Sequence, residues 1–435
     1  MIYLRLAAGV PPPGRTAARG ENTPLVTELH PLHRQSDSQQ KAMTIKTEYS
    51  LSSAQRQVVT CGSVHGDFYS EFFLTCDLTD ATSQFDFVRK YELLIQTFID
   101  SEITPVYEKA FGKLSYYHPF VNSRSDIHRS FGLSPERIPF TYIQGAPANK
   151  DARWAGVHLY GIRVHEPSNV NIKDISDNSD CIGKIIDFRN GRQAYFTGLT
   201  GKDRNISGPL DAECETTNVF ANLEQMLQNA GFQSSELVRT WFHLRDVLAD
   251  YDAFNNARKE SFAGKVHGNC LPASTAIQGE PAFGRSISLD ALAIRSLSAS
   301  GPIVRTMTSP RQPEAKTYGP LFSRGMEITW PRYKVLHVSG TASIDENGRS
   351  VHIDDPAAQV RNTLRIIESL LKKYGATMND IVQANAYFKS RETEPIFSDV
   401  LRQNEWHSMP CLRLIGDICR HDLLFEMDCI AVVQL

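Results

Sequence analysis

The chain repeats itself, and the repeat limits what it can fold into. Gly183 opens an extended run, IIDF, which turns at RNGR and returns as QAYFTG to Gly198. Gly325 opens MEIT, turns at WPRY and returns as KVLHVSG to Gly340, so both pairs of glycines lie 15 residues apart. Each pair reads as a β-hairpin. A helical period follows in both copies. Val219, Phe220, Leu223 and Leu227 run up to Gly231, and Thr363, Leu364, Ile367 and Leu371 run up to Gly375, at a constant offset of 144. The closing glycines predict left-handed helix caps. Leu237-Val238 and Ile381-Val382, again 144 apart, begin a third strand. A second helix, a proline (Pro272 or Pro410) and a final strand complete each copy, with Asp290 of SLDALAI matching Asp428 of EMDCIAV. This is a duplicated domain.

A fainter copy precedes these two. PFTYIQGAPA (139–148) echoes PASTAIQGEPA (272–282), and each leads into a strand-like run. Upstream, FYSEFFLTC and FDFVRKYELLIQTF supply a hairpin strand and an amphipathic helix. The expected organisation is three β-β-α-β-α-β units of the α+β class, at 49–165, 166–300 and 301–435. Helices cover one face of such a sheet and leave the other apolar. Three sheets packed face to face around an axis bury it, a trimer written into one chain. The chain is therefore expected to be a monomeric pseudo-trimer.

Composition removes other classes. Lys plus Arg is 46 against Asp plus Glu 49, a formal charge of −3. No basic surplus is present for gripping nucleic acid. No run approaches the roughly 18 apolar residues of a membrane span, so neither a nucleic acid nor a membrane is an expected partner. Eight cysteines form no CxxC pair, which points to buried thiols in a reducing, cytoplasmic setting. No metal is expected, since neither HExxH nor a complete calcium loop is present, and no cofactor, since no glycine-rich nucleotide loop is. Residues 1–48 mix Pro, Arg, Ser and Gln without periodicity, and read as a disordered tail or a start placed upstream of Met43.

Where the copies diverge, chemistry is the expected reason. Glu426 stands in an apolar strand, LLFEMDCIAV, where the second copy has Ser288 and the first Gly156. Arg413 stands where the second copy has Thr275 and the first Thr141 or Tyr142. A carboxylate in so apolar a strand is costly unless paired or poised for protonation. Glu426 is thus either one half of an inter-unit ion pair or an acid/base beside an arginine that holds a substrate carboxylate.

The run PCLRLIGDICRHDLLFEM (410–427) resembles the C-terminal signature of the Rid/YjgF superfamily, homotrimers with a chorismate-mutase-like fold. YGPLFSRGM (318–326) and VSG (338–340) resemble two further segments of that family. Simple Rid proteins place their arginine two positions after the proline, whereas Arg413 is three after Pro410. The chain also resembles the chorismatases, single-chain pseudo-trimers of this fold. DICRHDLLFE (417–426), SPRQ (309–312), FSR (322–324), SGTAS (339–343), RTW (239–241) and FNNAR (254–258) carry that likeness over roughly 150–435.

The resemblance implies a hydrolase of chorismate or a related small carboxylated enol ether. It assigns acid/base work to Glu426 and carboxylate binding to Arg413, with Arg324 either a second carboxylate anchor or a surface arginine. Phe322, Tyr318, Gly340, Ala342 and Cys419 would line the pocket, the cysteine shaping it rather than attacking. A Rid-type imine or enamine deaminase and a non-catalytic metabolite-binding protein are the alternative readings.

Overall fold

The computed structural model describes residues 52–177, 180–201, 211–263, 271–406 and 409–435. The reading of residues 1–48 as a tail lies outside them. The described chain forms three sheets in sequence order. The first is ordered Val59–His65, Tyr69–Asp77, Trp154–Val164, Thr104–Gly112, Phe140–Gln144. The second runs Ala273–Gln278, Leu237–Leu244, Ile287–Ser296, Gly191–Leu199, Asp180–Phe188, Val170–Asp177. The third runs Ile303–Met307, Gly325–Thr329, Tyr333–Ala342, Phe425–Gln434, Ile381–Phe388, Cys411–Ile415, and the short strand Ala146–Pro147 is added to its edge.

The fold is three tandem β-β-α-β-α-β units, and the spacing of 144 recurs in the local chemistry. Asp211 caps the helix Ala212–Asn229 and Asp355 caps Pro356–Lys373, each carboxylate accepting from a first-turn amide. Beyond each helix a glycine takes positive φ, +76° at Gly231 and +75° at Gly375. In the first unit the matching position after the helix Gln84–Asp100 is Glu102, at φ +53°. A strained non-glycine there is one reason the first copy is faint. Two strands go beyond the expected outline. Val170–Asp177 and Ile303–Met307 each add an edge to the sheet of their unit. Val170 and Ile175 of the first and Met307 of the second are buried in the core.

Helices cover the outer faces, and the inner faces meet in one core drawn from all three units. It includes Phe73 and Tyr160, then Phe188 and Leu292, then Trp330 and Val432. Nearer the site, the sheets exchange buried polar pairs. Lys109 of the first unit meets Asp290 of the second at 2.5 Å, and Arg239 of the second meets Asp428 of the third at 3.2 Å. The third corner is neutral, with His158 Nε2 3.0 Å from Asn385 Oδ1. Strand pairing shows these corners to be equivalent. Asp290 lies opposite Trp241, Asp428 opposite Asn385, and His158 opposite Lys109.

Candidate functional site

Glu426 enters from the strand Phe425–Gln434, opposite Ala342 on one side and Tyr387 on the other. By the same pairing Ser288 lies opposite His243 and Gly156 opposite Phe111, so the three positions are structurally equivalent. The residue is 5% exposed, and no hydrogen bond or ion pair reaches its carboxyl among the described residues. The inter-unit ion pair admitted by the sequence is therefore not formed there. Burial pushes the pKa of Glu426 up to about 8, the charge of Asp428 adds to the rise, and Arg239 and Arg420 oppose it. The carboxyl rests on Gly340. A Cβ at that glycine would stand 2.1 Å from Oε1, closer than any side chain permits.

In front of the carboxyl lies a cleft between the second and third units, about 520 Å³ with its mouth included. Of the residues expected at the pocket, Tyr318, Phe322, Arg324, Gly340, Ala342, Cys419 and Glu426 all line it. The second unit closes it with Ser274 and Ala276 of its edge strand and with Tyr251 and Arg258 of the helix Val247–Phe262.

Three guanidinium groups face this cleft, braced by two aromatic rings. Arg324 is 3% exposed, so it is no surface arginine. It donates to Pro313 O at 2.8 and 2.6 Å and to Tyr318 Oη at 2.8 Å. Its guanidinium carbon lies 5.4 Å from the centre of the Tyr318 ring and 5.6 Å from that of Phe322. Arg420 approaches Tyr318 at 5.6 Å and donates to Gly348 O at 2.8 Å. Arg258 approaches Phe322 at 5.5 Å. It is 1% exposed, and its Nε has no partner among the described residues. A buried, incompletely bonded arginine beside a cleft has donor capacity left that an anion could take up. Burial pushes the thiol of Cys419 up to about 12, with the Glu426 charge adding, so it stays protonated and non-nucleophilic at neutral pH.

Arg413 is not in this cleft, which corrects the sequence assignment. Its Nη1 donates to Glu394 Oε1 at 2.7 Å, on the helix Thr393–Gln403 of its own unit. Pairing explains the error. Arg413 lies opposite Ala386, as Ala276 lies opposite Phe242 and Tyr142 opposite Ala110. It is Leu412 that takes the place of Thr275 and Thr141. Counting from the proline is one residue out, and one residue turns a side chain to the other face of a strand. The Leu412 side chain packs on Gly156 of the first unit, at the interface away from Glu426.

Arg258, Tyr251 and Arg420 were missed as site residues, although two of them stand in quoted motifs, FNNAR and DICR. No group of three or more His, Cys, Asp or Glu able to hold a metal occurs among the described residues. Nor is any helix among them long and apolar enough to cross a membrane.

Comparison with known proteins places this architecture. The profile of the Endoribonuclease L-PSP family, the Rid/YjgF group, matches residues 186–282 and again 322–433, one segment in each of the two clear repeats. Both clear repeats are thus similar to the Rid/YjgF group. Among solved Rid-type folds, a chorismatase crystal structure aligns over 75% of this chain and 93% of its own, with a TM-score of 0.54 and 19% identity. At that identity the likeness is one of fold. The 3-aminoacrylate deaminase RutC of Acinetobacter baylyi is 26% identical over 102 residues, 23% of this chain and 79% of its own length.

Proposed function

We propose that this protein is a chorismatase-like hydrolase acting on chorismate or a related small carboxylated enol ether. The observation that carries the reading is Glu426, a buried acid without a hydrogen-bond or ion-pair partner among the described residues, at the head of a cleft that three arginines line. Such a cleft suits a compact substrate with more than one carboxylate. The protonated carboxyl of Glu426 gives its proton to the terminal methylene carbon of the enol ether, leaving an oxocarbenium-like centre at the ether carbon. Water adds to that centre, and its proton passes to the Glu426 carboxylate. The resulting hemiketal collapses to pyruvate and the ring alcohol, and the acid is restored for the next turnover. Arg258, Arg324 and Arg420 hold the carboxylates, fixing the methylene carbon before the acid.

Incubation with chorismate, followed by pyruvate release, tests the reading. Stoichiometric pyruvate is expected, and none at high protein concentration overturns it. Ammonia released from imines generated in situ would instead identify a deaminase. Both readings gave the substrate carboxylate to Arg413, which here bonds Glu394 on a helix of its own unit. Arg413→Ala is accordingly expected to leave kcat/KM within about threefold of wild type. Arg258→Met is expected to cost about 10–100-fold, the scale of a lost charged hydrogen bond. Steady-state kinetics on the two variants decides between the two arginines.

A further inference from the structure

Behind Glu426 runs a hydrogen-bonded chain that draws on all three units. Thr275 Oγ1 donates to Asp428 Oδ2 at 2.8 Å and accepts from the Gly340 amide at 3.1 Å and from Arg239 Nη2 at 2.6 Å. Arg239 also donates to Asp428 Oδ2 at 3.2 Å. The other oxygen, Oδ1, accepts from Asn385 Nδ2 at 3.1 Å. Asn385 Oδ1 lies 3.0 Å from His158 Nε2, and His158 Nδ1 lies 3.0 Å from Thr75 Oγ1. The carboxylate of Asp428 accepts, so Asn385 turns its NH2 towards it and its oxygen towards the histidine. His158 must then carry its proton on Nε2 and take the Thr75 hydroxyl at Nδ1. Burial drives the pKa of this imidazole down to about 3, so it is neutral and the direction of the chain is fixed. Its donors converge on Asp428.

Asp428 is two residues beyond Glu426, hence on the same face of one strand. Gly340, whose amide Thr275 holds, is the surface on which the Glu426 carboxyl lies. We infer that Asp428 is a positioning residue: with Thr275 it fixes Gly340 beneath the acid. Its negative charge, on the same face of the strand, also favours the protonated form of Glu426. The inference rests on Glu426 being the proton donor proposed above, and adds supports from the first and second units.

Other groups face the acid from every side. Arg239, from the second unit, and Arg420, from the loop before the strand, favour its ionised form. Arg258 and Arg324 are cations across the cleft. Tyr387 on the paired strand, Tyr251 on the helix and Cys419 in the loop all have burial-raised pKa values and are uncharged near neutrality. Tyr318 completes the wall. Against these cations, Asp428 is the nearby anion that raises the acid.

The test is a carbon-13 NMR titration of the full chain labelled at the glutamate side-chain carboxyl, with Glu426→Gln assigning the resonance. The wild-type midpoint is expected near 8. Asp428→Asn is expected to lower it by about one pH unit or more, the usual effect of removing a close like charge. Thr275→Val should shift the midpoint and lower kcat on chorismate about tenfold with KM unchanged, while Thr275→Ser restores both. If Asp428→Asn fails to fold because Arg239 loses its partner, the Thr275 pair decides. A midpoint unchanged in the folded variants overturns the inference. Shifted midpoints in a protein that releases no pyruvate would overturn the substrate reading and leave the positioning role standing.

Discussion

Glu426→Gln is expected to lose turnover by about 100-fold or more, the scale of a general acid, and yet to melt higher than the wild type at pH 8. The two effects have one cause. The carboxyl is buried without a hydrogen bond or counter-ion of its own among the described residues, and its pKa rises from 4.5 to about 8 on folding. Between those values the unfolded chain has already released the proton while the folded chain still holds it. Stability therefore falls as pH rises from about 4.5 to 8, because the native state binds more protons there. Below 4.5 the carboxyl is protonated in both states and the difference disappears. Glutamine keeps the shape, cannot ionise, and escapes the penalty. Thermal melts of both proteins at pH 4.5 and 8, with turnover measured alongside, check this. A purely structural glutamate would give the opposite pattern, a variant less stable at every pH. The same argument makes wild-type kcat fall as pH passes 8, where the acid loses its proton.

Glu426 was legible in the sequence because burial leaves a local mark, one carboxylate in an apolar strand whose repeat partners are serine and glycine. The repeat was legible for a similar reason. Caps such as Asp211 and Asp355, and glycines such as Gly231 and Gly375, are fixed by backbone geometry that each copy must satisfy. Strand register leaves no comparable mark. Arg413 and Thr275 each stand three residues after a proline, but the two strands pair one residue out of step, and the arginine faces its own helix. Arg258 leaves no mark of this kind, because it stands in the second unit while the divergent acid stands in the third. A cleft between two sheets takes residues from both, and the partner residues sit at positions that the repeat comparison does not bring together.

Gly340→Ala is expected to separate the fold from the chemistry. The added Cβ would stand 2.1 Å from Glu426 Oε1, 3.1 Å from its carboxyl carbon and 3.2 Å from Thr275 Cγ2. The nearest obstacle is the free end of a flexible side chain rather than backbone, so the carboxyl swings away and the strand Tyr333–Ala342 keeps its course. Gly340 needs no left-handed backbone, since it is absent from the glycines of positive φ. Its requirement is for space alone. The melting temperature should thus move by no more than a few degrees, as for a substitution that avoids the core and strained backbone. Arg258, Arg324 and Arg420 are untouched, so chorismate should still bind with KM within about threefold. The acid, however, no longer meets the methylene carbon, and kcat should fall about 100-fold, since a displacement near 1 Å is enough for that loss. Loss in kcat at constant KM marks an interaction made in the transition state. A Gly340→Ala protein with wild-type kcat would show that the proton comes from some other group.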